Sequence, residues 1–234
     1  MSESYLVQPT GGLCNYLRVV FSHWLYCKKE GIPLTVIWEV SSECNGFFLD
    51  YFEPLEGVTF LKENSGLPVT YSGNRWQQEY NPYQRFIYEG LKPLPWLQEK
   101  INAKKVMLGN YVSVHIRRTD HVWLAKAEYH YTSDDEFIEF IKMYPNENLY
   151  IATDNRLTQD QFHALFHDKM LATDFIESSD SLRQTNIEQA IVDIFVCANS
   201  LHFKGSGFSS FSATIYQMRE PTKSDHLFER ILGY

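Results

Sequence analysis

An α/β fold of two Rossmann-like halves with parallel sheets facing a cleft is what this chain predicts, on three observations. Strand-like apolar runs alternate with helical runs along most of the 234 residues. A glycine pair stands between the first such strand and the first helix, the layout of a βαβ unit. The side chains with chemistry to offer fall at the carboxyl ends of the strands, where open α/β sheets bind their ligands.

The chain opens with a short strand, SYLVQPT, at 4–10, and "GGLCN" follows at 11–15. Leu17, Val20, Phe21, Trp24 and Leu25 then recur at three- and four-residue steps, one face of a helix that Gly31 and Pro33 end. The β-branched run 33–39 reads as a parallel strand. Residues 41–82, rich in Gly, Asn, Ser and Tyr, read as irregular apart from one strand at 57–62. A helix is expected over 83–104, interrupted near Pro93 and Pro95.

The second half begins with the alternating strand 111–117, then a loop and a helix near 133–144. A strand at 148–155, a helix at 158–169, a strand near 173–177 and a helix at 182–198 follow. The strand 200–206 and a helix over 208–218, with a serine-rich first turn, complete the pattern. The expected domains are 1–108 and 109–234.

Composition bounds the function. With 44% hydrophobic and 15% aromatic residues, the chain has enough apolar matter for a packed core. A net charge of −8 argues against the broad positive surface that nucleic acid requires, yet permits one local basic pocket for a phosphorylated small molecule. Cys14, Cys27, Cys44 and Cys197 form no CxxC pair, so reduced thiols are expected and no zinc site. Neither a signal peptide nor a membrane-spanning run is visible, which leads us to expect a soluble, cytoplasmic protein.

Four groups of residues meet at strand ends: Gly11, Gly12 and Asn15 after the first strand; His115, Arg117, Arg118 and Asp120 after the strand opening the second half; Thr153 and Asp154 after the next; and Ser206, Ser209 and Ser210 after the last. A strand–GG–helix turn presents backbone N–H groups to an anion, or is merely a tight turn. Arginine stays charged and binds phosphate bidentately. Two in succession project to opposite faces, so one can meet a ligand while the other pairs with an acid such as Asp120. The serines cap a helix, and "GSGFSSFS" is also small enough to admit a diphosphate to free N–H groups. Asp193, in an otherwise apolar helix, is either a core acid with satisfied partners or an acceptor for a base edge.

These motifs resemble a family. "HIRRTD" (115–120) resembles the arginine motif of the fucosyltransferase superfamily, which includes α1,6-fucosyltransferases, NodZ-type enzymes, α1,2 enzymes and protein O-fucosyltransferases. "GGLCNYLR" is similar to its glycine-rich start, with Cys14 and Tyr16 as departures. "LYIATDN" is similar to the strand and Thr-Asp pair of the α1,6 group, where His121 here replaces a lysine. "QAIVDIFVCANSLHFKGSGFSSFSATIYQM" (189–218) resembles the last motif.

The resemblance implies a GT-B-like fold and an inverting glycosyltransferase that moves fucose from GDP-fucose to a sugar hydroxyl of an oligosaccharide or glycan, with no metal and no cofactor. It implies that Arg117 contacts the β-phosphate and that Arg118 supports the same loop. His115 and Asp193 would bind guanosine, with Asp193 at the guanine edge; Asp154, Ser209 and Ser210 would line the nucleotide site. Gly11, Gly12 and Asn15 would reach over the diphosphate. Glu128 is the expected general base and Asp120 the other local carboxylate. A soluble bacterial or viral enzyme is expected. Tyr71, Trp76, Tyr80, Tyr83 and Trp96 would stack an acceptor sugar or pack internally. The alternatives are a transferase for another nucleotide sugar, a catalytically silent nucleotide- or sugar-binding module, and an effector that modifies a host protein.

Overall fold

A computed structural model of the chain describes residues 4–77, 79, 88–119, 122–127, 130–175 and 186–219. They form two compact units, Met1–Gln98 and Glu99–Tyr234. The division falls before the 108/109 boundary expected from sequence, because the connecting helix is tied to the second unit: Lys100 pairs with Glu188, Lys104 with Asp174, and Lys105 donates to Asn199.

The first unit starts with β1 (Tyr5–Pro9), α1 (Leu13–Glu30) and β2 (Leu34–Ile37). Strands β3 (Val58–Leu61) and β4 (Tyr71–Gly73) complete a parallel sheet in the order β3-β2-β1-β4. Val7 sits beside Val36 on one side and Tyr71 on the other. Leu17, Val20 and Phe21 of the apolar stripe of α1 are fully buried, while Trp24 and Leu25 at its far end are half-buried. Between β2 and β3 the "irregular" stretch hides an aromatic cluster: the Phe48 and Phe60 rings stack at 4.2 Å, and Trp38 and Phe52 pack against Phe48. β4 was not expected; three residues on a sheet edge carry too little periodicity to read.

The second unit takes in most of α2 (Pro95–Leu108) and all of β5 (Tyr111–Ile116). The helix expected over 83–104 thus begins at Pro95, a residue suited to a first helical position because its missing N–H is not needed there; residues 83–87 lie outside the described residues. Then come α3 (Val122–Ala127), α4 (Asp134–Lys142), β6 (Asn148–Thr153) and α5 (Arg156–Phe166). β7 (Met170–Ala172), α6 (Ile187–Ala198), β8 (His202–Gly205) and α7 (Ser210–Met218) follow. β7 lies before the expected 173–177, since Leu149–Ile151 of β6 pairs with Met170–Ala172. The sheet order is β7-β6-β5-β8, all parallel. Its topology repeats that of the first unit.

Strand β5 is buried along its whole length but has two characters. Val112, Val114 and Ile116 pack with Phe137, Ile141 and Phe162 in one core. Tyr111, Ser113 and His115 alternate to the other face, where each finds a polar partner on the α6–α7 side: Val196 O, Ser200 Oγ and Ser212 Oγ. The four cysteines are buried and form no disulfide. Among the described residues no helix is long and apolar enough to cross a membrane.

Candidate functional site

In the order β7-β6-β5-β8, connections leave β5 and β8 toward opposite faces of the sheet. Their carboxyl ends therefore bound the crevice where such sheets bind ligands. His115 is paired with Gly205 at that point. The two ends are fastened together: the Ser206 N–H donates to His115 O at 2.9 Å, and the Arg117 N–H donates to Ser206 Oγ at 2.9 Å. A pocket opens here, lined by Arg117, Arg118, Tyr131, Thr132, Gly207 and Ser209 among others.

The two adjacent arginines are held differently. Arg118 is locked: Nε and Nη2 donate to Asp134 Oδ1 at 3.1 and 2.6 Å, Nη2 to Thr132 O at 2.8 Å, and Nη1 to Arg117 O at 3.1 Å. Its guanidinium also lies 4.9 Å from the Tyr131 ring and 5.6 Å from Phe137. Arg117 lies at 3.8 Å from Asp154 Oδ2, a looser pairing. Asp154 organises the turn, accepting the Arg118 N–H at 2.9 Å and the Thr119 hydroxyl. This geometry gives Arg118 an anchoring part in the loop that carries Arg117 to the pocket.

Across the pocket, Ser209 caps α7, its Oγ accepting from the Ser212 N–H, and Ser210 is the first helical residue. The helix start adds positive potential to a pocket already flanked by two guanidinium groups. Gly207 permits a close approach: a Cβ there would stand 2.0 Å from the His130 carbonyl oxygen.

His115 is buried; its Nδ1 shares a 2.7 Å hydrogen bond with Ser212 Oγ and its ring stacks on Phe211 at 4.5 Å. Burial first, and then the charges of Arg117 and Arg118, push its pKa down to about 3, so it is neutral. Asp193 lies on α6. Its carboxylate is buried and already accepts from Tyr150 Oη at 2.6 Å, Gln189 Nε2 at 2.7 Å and Thr173 Oγ1 at 2.9 Å. Burial raises its pKa to about 6 against these donors. These bonds are those of a core acid with satisfied partners, one of the two readings the sequence left open.

Gly11, Gly12 and Asn15 belong to the first unit. Gly11 has φ +89° and Gly12 is the N-cap of α1, so the pair makes the turn that the sequence suggests. Asn15 Oδ1 accepts from Arg18, whose guanidinium lies 5.5 Å from the Trp76 ring. The Tyr71 ring lies tilted against His23 at 4.7 Å and Trp96 lies against Tyr51, contacts within their own unit. Asp120, Glu128, Tyr80 and Tyr83 lie outside the described residues. Sequence reasoning missed Asp134, Thr132 and Ser212. Only Asp134 carried a signal: "SDDE" at 133–136 spells the capping box that starts α4.

A family model described as GDP-fucose protein O-fucosyltransferase matches residues 73–222. The human GDP-fucose protein O-fucosyltransferase 2 is 23% identical over 131 residues, which is 53% of this chain and 29% of that protein. The chimpanzee protein of the same name matches equally. The chain thus spans under a third of the length of these curated relatives. Among solved structures, NodZ α-1,6-fucosyltransferase soaked with GDP-fucose superposes with a TM-score of 0.63 at 15% identity, covering 93% of each chain. POFUT1 in complex with GDP-fucose gives 0.63 at 9% identity, covering 94% of this chain and 96% of that one. The fold is therefore α/β and GT-B-like, as these neighbours are.

Proposed function

The chain belongs to the GDP-fucose protein O-fucosyltransferase family, and on that premise we propose that it is a glycosyltransferase. It moves fucose from GDP-fucose to a glycan or oligosaccharide hydroxyl, with inversion and without a metal ion. The observation that carries the reading is the pocket at the β5/β8 switch point, where Arg117, Arg118 and the start of α7 concentrate positive potential in a chain of net charge −8. The solved structures of like fold that hold GDP-fucose add to it.

The chemistry follows from charge. As the bond between the sugar C1 and the β-phosphate oxygen breaks, negative charge grows on the departing GDP. Arg117 and the α7 N–H groups stabilise that charge. The acceptor oxygen forms its bond to C1 from the opposite face, and its proton passes to a carboxylate, Glu128 or Asp120. Arg118 holds the loop on which Arg117 stands. Neutral His115 keeps the Ser212 turn of α7 in register with β5.

A second reading differs in the acceptor alone. The family match favours a hydroxyl oxygen of a protein. A transfer assay separates the readings: GDP release from GDP-fucose is measured in EDTA with oligosaccharides, and separately with folded protein domains. The anomeric configuration of the product is read by NMR. Turnover in EDTA with an inverted product supports the proposal. A retained configuration, or turnover restored only by added metal, overturns that part of it.

A further inference from the structure

Phe208 is the one described non-glycine residue with positive φ, at +56°, a region unfavourable for a bulky side chain. It stands between Gly207 and Ser209, both of which line the pocket. Its ring lies parallel to the His130 ring and offset from it, with centroids 5.7 Å apart and planes 8° from parallel. The two segments are joined twice more beside this stack. The Gly207 N–H donates to Thr132 Oγ1 at 3.0 Å, and the Gly207 Cα packs on the His130 carbonyl so closely that no side chain fits between. His130 in turn donates its N–H to Ala125 O at the end of α3, and Ala125 also lines the pocket.

From this geometry we propose that His130 and Phe208 form an aromatic clamp. It holds the loop after β8 in the conformation that presents the start of α7 to the donor diphosphate. Both are positioning residues. The left-handed backbone at Phe208 sets the direction in which the chain enters Ser209 and hence the aim of the α7 N–H groups. The stack on His130 offsets the cost of that conformation and fixes it before ligand arrives. An aromatic pair is worth enough to shift a loop equilibrium by roughly five- to tenfold. The inference rests on the nucleotide-binding reading of this pocket.

The test uses the full chain with three variants and two readouts. GDP affinity is measured by calorimetry, and amide exchange of the 206–212 backbone by mass spectrometry. His130→Ala is expected to raise the Kd for GDP roughly five- to tenfold and to speed exchange in that segment, with the thermal midpoint little changed. His130→Phe keeps a flat partner and is expected to restore both. Phe208→Gly removes the ring but accepts the positive φ, so it is expected to fold at least as stably as wild type while binding GDP more weakly. If wild type does not bind GDP, the nucleotide reading falls, and exchange alone then decides the clamp. Unchanged exchange in His130→Ala, or GDP affinity within twofold of wild type in both His130→Ala and Phe208→Gly, overturns the clamp.

Discussion

Replacing Arg118 by methionine keeps the apolar stem and removes a guanidinium that is bonded at four places. The ion pair with Asp134 is the smaller part of the loss, because the Asp134 side chain is 46% exposed and such pairs contribute about 0.5–1 kcal/mol. The larger part is the two carbonyls, Thr132 O and Arg117 O, that lose their donors in a half-buried loop, at about 1 kcal/mol each. Contacts with the Tyr131 and Phe137 rings add about 0.5 kcal/mol. Arg118→Met should therefore destabilise the second unit by about 3 kcal/mol, whereas Asp134→Asn should cost under about 1 kcal/mol. Arg118→Lys should fall between, since one ammonium cannot span Asp134, Thr132 O and Arg117 O together. Urea unfolding of the three variants, followed by tryptophan fluorescence and far-UV circular dichroism, supplies the numbers. Equal losses for Arg118→Met and Asp134→Asn would refute the reasoning, because the carbonyl contacts would then contribute nothing.

Arg219 is buried at the end of α7, and its Nη1 and Nη2 donate to Cys197 O, Ser200 O and Leu201 O at the C-terminus of α6. Arg219→Met should cost about 3 kcal/mol by stripping these carbonyls, measured by the same unfolding experiment. Stability should also fall with pH. Burial lowers the pKa of His23 from 6.5 to about 4, and burial with the Arg117 and Arg118 charges lowers that of His115 to about 3. The unfolded chain binds these protons first, so stability is full above about pH 6.5 and is lost as pH falls to about 4 for His23 and about 3 for His115. Asp193, raised from 3.8 to about 6, acts oppositely: it holds its proton longer when folded and gains stability as pH drops between those values. Two histidines against one carboxyl leave a net loss below pH 6.5, on the order of 3 kcal/mol from His23 alone. His23 has no hydrogen-bond partner among the described residues, so His23→Leu should remove its share of the slope in a pH series of unfolding curves without loss at pH 7.

β5 and β6 were legible because each is largely an apolar run; β8 (His202–Gly205) is not one, and the glycine and serine residues that follow it marked its end. Arg117 and Arg118 stand after β5, and Ser206 and Ser209 after β8, because a parallel strand leaves its loops at one edge. What stayed hidden depends on partners distant in sequence. Nothing local announces that Arg118 is locked; its partners Asp134 and Thr132 come from the next loop. Asp193 looks free along its own helix, and its three donors include Tyr150 and Thr173 from other segments. α3 is only six residues long, too short for a helical period to show, and the strand expected at 173–177 was drawn toward Phe175 by apolar content that outweighs the pairing of β7 with β6. The clamp at Phe208 has no signature in sequence at all, since a positive φ there is set by the fold.

The most direct test is calorimetric titration of GDP, UDP and ADP into the wild-type chain and Arg117→Ala, all in EDTA. Binding of GDP in preference to UDP and ADP, weakened on the order of a hundredfold in Arg117→Ala while the unfolding midpoint holds, is the predicted result. No binding of GDP, or equal binding with and without the Arg117 guanidinium, would contradict a diphosphate site at the β5/β8 switch point.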